Sequence, residues 1–346
     1  MQHDSKGFLR PVVNDNCIEC GLCVKYCHEH KKNDGFDVQK TYTAYSNHAD
    51  IRAVSSSGGI FTALAQDTIN RDGFVCAAGF DSDFYLRHHI IDNFNQLDFL
   101  RKSKYLESDI SEIWAEIKLR ISSGQKGLFV GTPCQCAALR NILRDRIDNI
   151  ITCDFICHGV ASPAVFDKYK KYLGSKYGTP IKIEFRHKEN GEGSYFYYVG
   201  KCGEYMIPNY SRSYPYAYAS GLIIADDCTS CRYCSLRRNS DITLGDYVNG
   251  PTDYSKSTIF ANTSKGIEIL KNCKGITIIE ENLDNTIQKS WHLTTPNTPS
   301  SQRDRVFKDL SQASWEYLEN TYFKPLNRFQ LYRLALINHI KKIINW

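Results

Sequence analysis

Residues 17–27 read Cys-Ile-Glu-Cys-Gly-Leu-Cys-Val-Lys-Tyr-Cys, which sets thiols at Cys17, Cys20, Cys23 and Cys27. A thiol every third residue, then a fourth after a gap of three, is the spacing with which a tight loop holds a [4Fe–4S] cubane. Gly21 inside the run lets the backbone pass close to such a cluster. Zinc is the competing occupant, because Cys-x2-Cys units also make tetrahedral four-sulfur sites. The two pairs of a zinc ribbon normally lie well apart in sequence, however, and here all four cysteines fall within one short run. The Cys-x3-Cys-x2-Cys spacing of radical-generating clusters is absent, since His30 stands where its last cysteine would fall.

The whole chain carries 14 cysteines in 346 residues. Disulfides would explain that number in a short secreted domain. This chain is long, and its Met-Gln-His-Asp-Ser-Lys start has neither an apolar core nor a small-residue cleavage site. The expectation is a cytoplasmic protein with reduced thiols. A 42% hydrophobic and 23% charged composition is that of a globular protein with a sizeable core. At about 150 residues per domain the length suggests two domains or a little more. No apolar stretch nears the ~20 residues of a membrane helix. The net charge of +5 is small and scattered, which argues against nucleic acid. Collagen-like, disordered, coiled-coil and membrane-spanning classes are excluded.

Past residue 50 helical and strand patterns alternate. Ser55-Ser56-Ser57-Gly58-Gly59 opens an apolar-periodic helix through Ile60, Phe61, Leu64, Ala65 and Ile69. Strands are expected at 74–80, 85–91, 127–130, 150–156 and 242–244, and helices at 110–121, 136–143 and 164–177, the last started by Ser162-Pro163. The alternation implies a parallel sheet with right-handed crossovers. Gly131-Thr132-Pro133-Cys134 and Cys157-His158-Gly159 then follow two neighbouring strands, at the carboxyl edge where open α/β sheets place ligands. Cys228-Thr229-Ser230-Cys231-Arg232-Tyr233-Cys234 supplies a third group. Taken singly, each cysteine reads equally well as a buried or free thiol; together, Cys134, Cys157, Cys228 and Cys231 are expected to make a second four-sulfur site. Cys136 and Cys234 are substitute ligands, and Cys76, Cys153, Cys202 and Cys273 are structural thiols.

Two resemblances extend this reading. Residues 4–14 are similar to the linker between the halves of a two-cluster ferredoxin domain, in which the fourth cysteine of each run binds the other cluster. The first run is not in this chain. Cys27 therefore closes its own cluster, pairs with distant cysteines, or the true start lies upstream; a local cluster with Cys27 as fourth ligand is the reading adopted. From residue 4 to about 310 the chain resembles the beta subunits of coenzyme F420-reducing hydrogenases and F420-dependent formate dehydrogenases. The motifs that carry it are Ser55–Phe61, Ser103-Lys104-Tyr105, Gly131–Gln135, Cys157-His158-Gly159-Val160, and Cys228-x2-Cys231 leading to Ser240–Asp246. His28 in place of proline, the missing first run, and the extra Cys136 and Cys234 are departures.

The resemblance implies a flavoprotein with FAD and one or two [4Fe–4S] clusters, exchanging a hydride with coenzyme F420 or a similar small carrier. Ser56, Ser57, Gly58 and Gly59 would offer hydroxyls and amides to the FAD pyrophosphate, with simple N-capping as the alternative. Lys104 would supply a cation, with a solvated turn lysine as the alternative. Thr132 and Gln135 would meet the polar edge of the isoalloxazine. Asp241 and Asp246 suit turn formation as well as cofactor contact, and His158 is not read as catalytic. No Ser-His-Asp set, catalytic carboxylate pair, Walker loop or Gly-x-Gly-x-x-Gly fingerprint is present.

The basic tail from about 300 carries an apolar stripe of Phe329, Tyr332, Leu336, Ile337, Ile340, Ile343 and Ile344, flanked by Arg328, Arg333, Lys341 and Lys342. It reads as a packed surface helix, or as a docking or membrane-surface helix. The expected fold is an α/β (α+β) flavin-binding core with parallel-sheet segments (46–300), preceded by a truncated ferredoxin-like [4Fe–4S] segment (1–45) and followed by a helical tail (301–346). The expected function is oxidoreduction between a hydride carrier and one-electron clusters through FAD. A redox partner protein or ferredoxin and partner subunits are expected, and neither nucleic acid nor a transmembrane segment. The alternatives are a non-catalytic metal-binding adaptor on the same fold, or a reductase acting on a sugar, lipid or pigment.

Overall fold

The computed structural model describes residues 1–30 and 35–325; the expected tail stripe from Phe329 to Ile344 lies outside the described residues. After short two-residue strands at Gln2–His3, Leu9–Arg10 and Phe36–Asp37, five longer strands follow: β1 (Lys40–Ser46), β2 (Phe74–Phe80), β3 (Leu86–Ile91), β4 (Gly127–Val130) and β5 (Ile150–Phe155). Then β6 (Pro180–Glu189), β7 (Glu192–Gly200) and β8 (Gly203–Pro208) form an antiparallel meander of their own. Strands β9 (Ile242–Asp246), β10 (Ser257–Ala261) and β11 (Ile276–Glu281) return to the first group, giving an eight-stranded sheet ordered β11-β1-β10-β9-β5-β4-β2-β3. Its centre is parallel: β2 pairs with β4, β4 with β5, and β5 with β9. The outer pairings are antiparallel, so the sheet is mixed rather than purely parallel. Strand β1 runs across the 45/46 boundary expected from the sequence and is hydrogen-bonded on both sides within this sheet.

Alternation along each central strand feeds two separate cores. Val75, Ala77 and Leu128 face helices α1 (Ile60–Ile69) and, further along, Ser264–Asn272, packing with Ile60, Leu64 and Leu270. Phe74, Cys76 and Phe129 point the other way, onto α2 (Ile113–Ser122) and α3 (Pro133–Leu143) through Ile117, Ile121, Cys136 and Leu139. Burial on both faces is what a parallel sheet centre requires. Helix α2 starts later than its apolar spacing suggests, because Asp109 is held as a bridge partner to Arg87 beside β3. Helix α3 starts earlier, because Thr132 caps it with Pro133 as its first residue. A third core of aromatic rings joins the β6–β8 meander to α4 (Pro163–Tyr177), with Tyr169, Phe185, Phe196 and Tyr214 at its centre. Trp315 and Phe323, on the last described segment, close over it. No helix among the described residues is long and apolar enough to cross a membrane.

One buried ion pair fastens a loop to the sheet. Arg238 (2% exposed) meets Asp154 of β5 (0%) at 3.0 Å. Its guanidinium also donates to the Tyr233 carbonyl at 3.0 Å and to Thr243 Oγ1 at 3.2 Å, so the chain from 233 onward is anchored beside β5 and β9. Removing one partner of such a pair leaves a buried charge uncompensated, which costs about 3–5 kcal/mol. Arg238→Ala is therefore expected to lower the unfolding free energy by about that amount in urea titrations, with Arg238→Lys intermediate.

Candidate functional site

Parallel pairing of β4 and β5 sets Val130 opposite Cys153, so both strands end at one edge. Beyond β4 the backbone turns into α3 through a reciprocal cap. Thr132 Oγ1 accepts from the Gln135 amide at 3.4 Å, and Gln135 Oε1 accepts from the Thr132 amide at 2.9 Å. This brings Cys134 onto the first turn. Beyond β5, the Ile156 amide donates to Leu244 O at 2.9 Å and Cys157 follows. Gly159 then adopts φ +103°, and a Cβ there would come within 3.1 Å of Cys228 Cβ. Only glycine suits both the angle and the close approach. The 222–228 segment reaches this edge by running antiparallel to 160–162: Ser162 donates to Ile223 O, and Ala225 to Val160 O, each at 3.0 Å.

The expected second group of thiols is gathered by these contacts. Burial pushes Cys157 well above its ordinary value, and the neighbouring Cys228, Cys134 and Cys231 add to the rise. Burial likewise carries Cys228 to about 12 and Cys134 to about 11, with Cys231 close to both. Cys231 is brought down to about 6 by a hydrogen bond from Cys234, so Cys234 lies against the group as well. Cys136 does not. It is fully buried, with Sγ 3.7 Å from Cys153 O, because helical periodicity turns it into the sheet core. Cys76, Cys153 and Cys273 are buried, and Cys202 is exposed at the turn between β7 and β8. All fourteen are free thiols. No group of three or more His, Cys, Asp or Glu among the described residues is drawn tightly enough to hold a single metal ion.

The N-terminal run has a different setting. Cys17, Cys20 and Cys23 are exposed and Cys27 is half-buried. Gly21, at φ +67°, starts the helical turn Leu22–Tyr26, none of whose residues is buried. Just beyond it, His28 Nδ1 lies 2.9 Å from Tyr233 Oη, and Arg232 donates to that hydroxyl at 2.9 Å and to Glu29 O at 3.0 Å. The residue that replaces proline thus ties the first cysteine run to the Cys228–Cys234 loop.

A cavity of about 420 Å³ opens beside Cys157, within the range of small-molecule sites. Of the residues expected to contact a cofactor, Ser56, Ser57, Gly59, Lys104, Thr132 and Gln135 line it and Gly58 does not. A Cβ on Gly58 would meet Ala44 O at 2.6 Å, so this glycine lets the loop lie against the sheet. Gly59, at φ +82°, begins α1. Ser57 Oγ donates to Asp246 at 2.7 Å, and Ser56 Oγ accepts from the Ser103 amide at 2.8 Å. Lys104 is no free cation. Its ammonium donates to the carbonyls of Ala78, Leu100 and Arg101 at 2.7–2.9 Å, and burial brings it down to about 7. Thr132 and Gln135 use most of their polar atoms in the α3 cap, so the capping role competes with any contact to a ring edge.

Sequence reasoning missed Arg186, which is 6% exposed and lines the same cavity. Its Nη1 bonds both Asp246 oxygens at 2.8 and 2.7 Å, Nη2 reaches Ser56 O at 3.3 Å, and Nε has no partner. Burial works against the Asp246 charge, but Arg186 and Ser57 hold its carboxyl below the ordinary range. The signal was present but misleading: Lys182, Glu184, Arg186 and Lys188 alternate along β6, a pattern that ordinarily marks a solvent face. Tyr105 and Tyr218, stacked at 4.6 Å, give the cavity an apolar wall. His158 stacks on His292 at 3.6 Å at another part of the lining.

Residues 124–285 match the family described as the C terminus of the coenzyme F420 hydrogenase/dehydrogenase beta subunit. That span includes Cys134, Cys157, Cys228, Cys231 and Arg186, and stops short of the first cysteine run and the serine-glycine loop. No curated protein matches the chain. Among solved structures, a chain of the F420-reducing [NiFe] hydrogenase complex from Methanosarcina barkeri, in a xenon derivative, is similar at 19% identity with a TM-score of 0.54. The match covers 77% of this chain and 92% of that one, a likeness of fold. Over residues 124–285, then, the chain is similar to the C-terminal part of coenzyme F420 hydrogenase/dehydrogenase beta subunits.

Proposed function

We propose that the protein is an iron–sulfur flavoprotein that exchanges electrons between a hydride carrier, coenzyme F420 or a relative of it, and one-electron [4Fe–4S] centres. The observation that carries this reading is that Cys157 belongs at once to the gathered thiols and to the wall of the cavity. Cys134, Cys157, Cys228 and Cys231 would hold one cluster. Four cysteine thiols gathered from three chain segments are the donor set of a four-iron cubane, and no group among the described residues is drawn tightly enough for one tetrahedral zinc. Cys17, Cys20, Cys23 and Cys27 would hold another on the exposed side, where a redox partner protein or a partner subunit has access.

FAD fits the cavity by its donors. The Ser56-Ser57 loop and the start of α1 offer hydroxyls and amides to phosphates, and the unpartnered Arg186 Nε is a buried donor in need of an acceptor. A flavin bound there supplies the exchange between two-electron hydride chemistry and single-electron transfer. The chain's own part is to hold and to exclude. Arg186, neutralised by Asp246, presents a fixed donor without a net charge, and the Tyr105–Tyr218 stack keeps the wall apolar. Free thiols throughout suit a reducing compartment, the cytoplasm.

Four measurements test this. Anaerobically purified protein is expected to be brown, with acid-labile sulfide, one releasable FAD and about eight irons per chain; colourless protein with stoichiometric zinc overturns the reading. Cys157→Ser is expected to remove about four of those irons and leave the electron paramagnetic resonance signal of the other cluster. Arg186→Lys is expected to weaken FAD binding about 10-fold, the loss of one charge-assisted bond, with iron content unchanged. Reduction by reduced F420, NADPH and reduced ferredoxin, run side by side, identifies the carrier, and a loaded protein that none of them reduces favours a non-catalytic adaptor.

A further inference from the structure

Thr132 Oγ1 lies 3.0 Å from Cys134 Sγ. The same oxygen accepts the Gln135 amide through its cap contact, and these are the hydrogen bonds that its hydroxyl makes among the described residues. A threonine hydroxyl has one proton to give and two lone pairs with which to accept. With the amide of Gln135 on a lone pair, the proton is left for the sulfur. Between a hydroxyl and a neutral thiol either group can donate. A thiolate bound to iron carries no proton, so the direction is then settled: Thr132 donates and Cys134 accepts.

We infer that Thr132 is a positioning residue that raises the reduction potential of the cluster held by Cys134. The inference rests on the proposed ligation of a cluster by Cys134, Cys157, Cys228 and Cys231. A hydrogen bond to a ligand sulfur draws electron density from it and eases the added negative charge of reduction, one of the levers by which a protein sets cluster potential. The cap makes this donor rigid. Thr132 is 7% exposed, its amide is engaged by Gln135 Oε1 at 2.9 Å, and Gln135 Nε2 is itself anchored to Ser108 Oγ at 3.0 Å. Ser108 Oγ in turn lies 3.2 Å from His88 Nδ1, whose other ring nitrogen is 3.1 Å from Val130 O. The hydroxyl is thus held at the end of a polar chain that runs along the cavity wall and stops at Cys134. By comparison, Cys157 Sγ receives the backbone amide of Gly159 at 3.4 Å, a donor that side-chain substitution leaves in place. Cys234 beside Cys231 is a donor whose substitution removes another thiol, whereas Thr132 is a hydroxyl donor that substitution can remove without doing so.

The test is a redox titration, followed by electron paramagnetic resonance, of the iron-loaded full chain in four forms: wild type, Thr132→Val, Thr132→Ser and Gln135→Leu. Thr132→Val keeps the shape and loses the hydroxyl, and its cluster midpoint is expected to shift to more negative potential at unchanged iron content. Thr132→Ser restores the donor and the wild-type midpoint. Gln135→Leu keeps the hydroxyl but loosens the cap that orients it, so its midpoint is expected to fall between those of wild type and Thr132→Val, whereas a merely structural role would leave Thr132→Ser shifted as well. Should Thr132→Val not retain iron, Thr132→Ala is titrated in its place. Equal midpoints in the valine and wild-type proteins, with iron intact, overturn the inference while leaving the cluster itself in place. Wild-type protein whose iron content and signals are insensitive to Cys134→Ser overturns the ligation beneath it.

Discussion

Parallel pairing of β4 with β5 is the constraint on which the rest is built. In parallel neighbours every strand ends on the same edge, so the loops after Val130 and Phe155 have no choice but to lie side by side. Cys134 and Cys157 are brought together by backbone hydrogen bonds rather than by any affinity between them. Strand β9, parallel to β5, adds Gly245 and Asp246 to that edge. The remaining pieces come from outside the sheet: the 222–228 segment is laid antiparallel to residues 160–162, and β6 leans Arg186 over the opening. A mixed sheet of eight strands serves this arrangement because its antiparallel flanks satisfy the edges while its parallel middle sets the functional rim.

Much of that rim could be read from residue order alone, and the reason is periodicity. Short apolar runs such as Gly127–Val130 and Ile150–Phe155, separated by helical spacing, specify a parallel centre without reference to anything distant, and the following Cys motifs inherit their place from it. The antiparallel flank of β1, β10 and β11 was not legible, since those pairings join segments some two hundred residues apart. Thr132 and Gln135 were legible as polar residues at a helix start, but a capping pair and a pair of ligand contacts look identical in one dimension. Lys104 misled for a related reason. A lysine in a loop suggests solvent or phosphate, whereas three carbonyls from two separate segments converge on this one. Arg186 was hidden by its own neighbours, whose alternating charges imitate an exposed strand.

The departure from the ferredoxin pattern at His28 has a local explanation. Proline after a fourth cysteine fixes the backbone but offers no donor. Histidine at this position gives up that rigidity and instead meets Tyr233, which Arg232 also engages. Since Tyr233 lies between Cys231 and Cys234, and His28 directly follows Cys27, the two cysteine-bearing loops share one hydrogen-bonded joint.

The anchoring of residue 233 onward by Arg238 has a consequence for when order is acquired. Tyr233 O, Thr243 Oγ1 and the Asp154 carboxylate all grip one guanidinium, so the loop that bears Cys228, Cys231 and Cys234 is immobilised as the sheet itself condenses. The entropy lost in collecting those sulfurs is then charged to the folding of the polypeptide, and the proposed cluster would meet a receptacle already shaped. Cys17, Cys20 and Cys23, on a turn with no buried residue, have no such scaffold. A cluster bound there, on the ligation proposed above, would have to meet its own ordering cost and would be the more labile of the two.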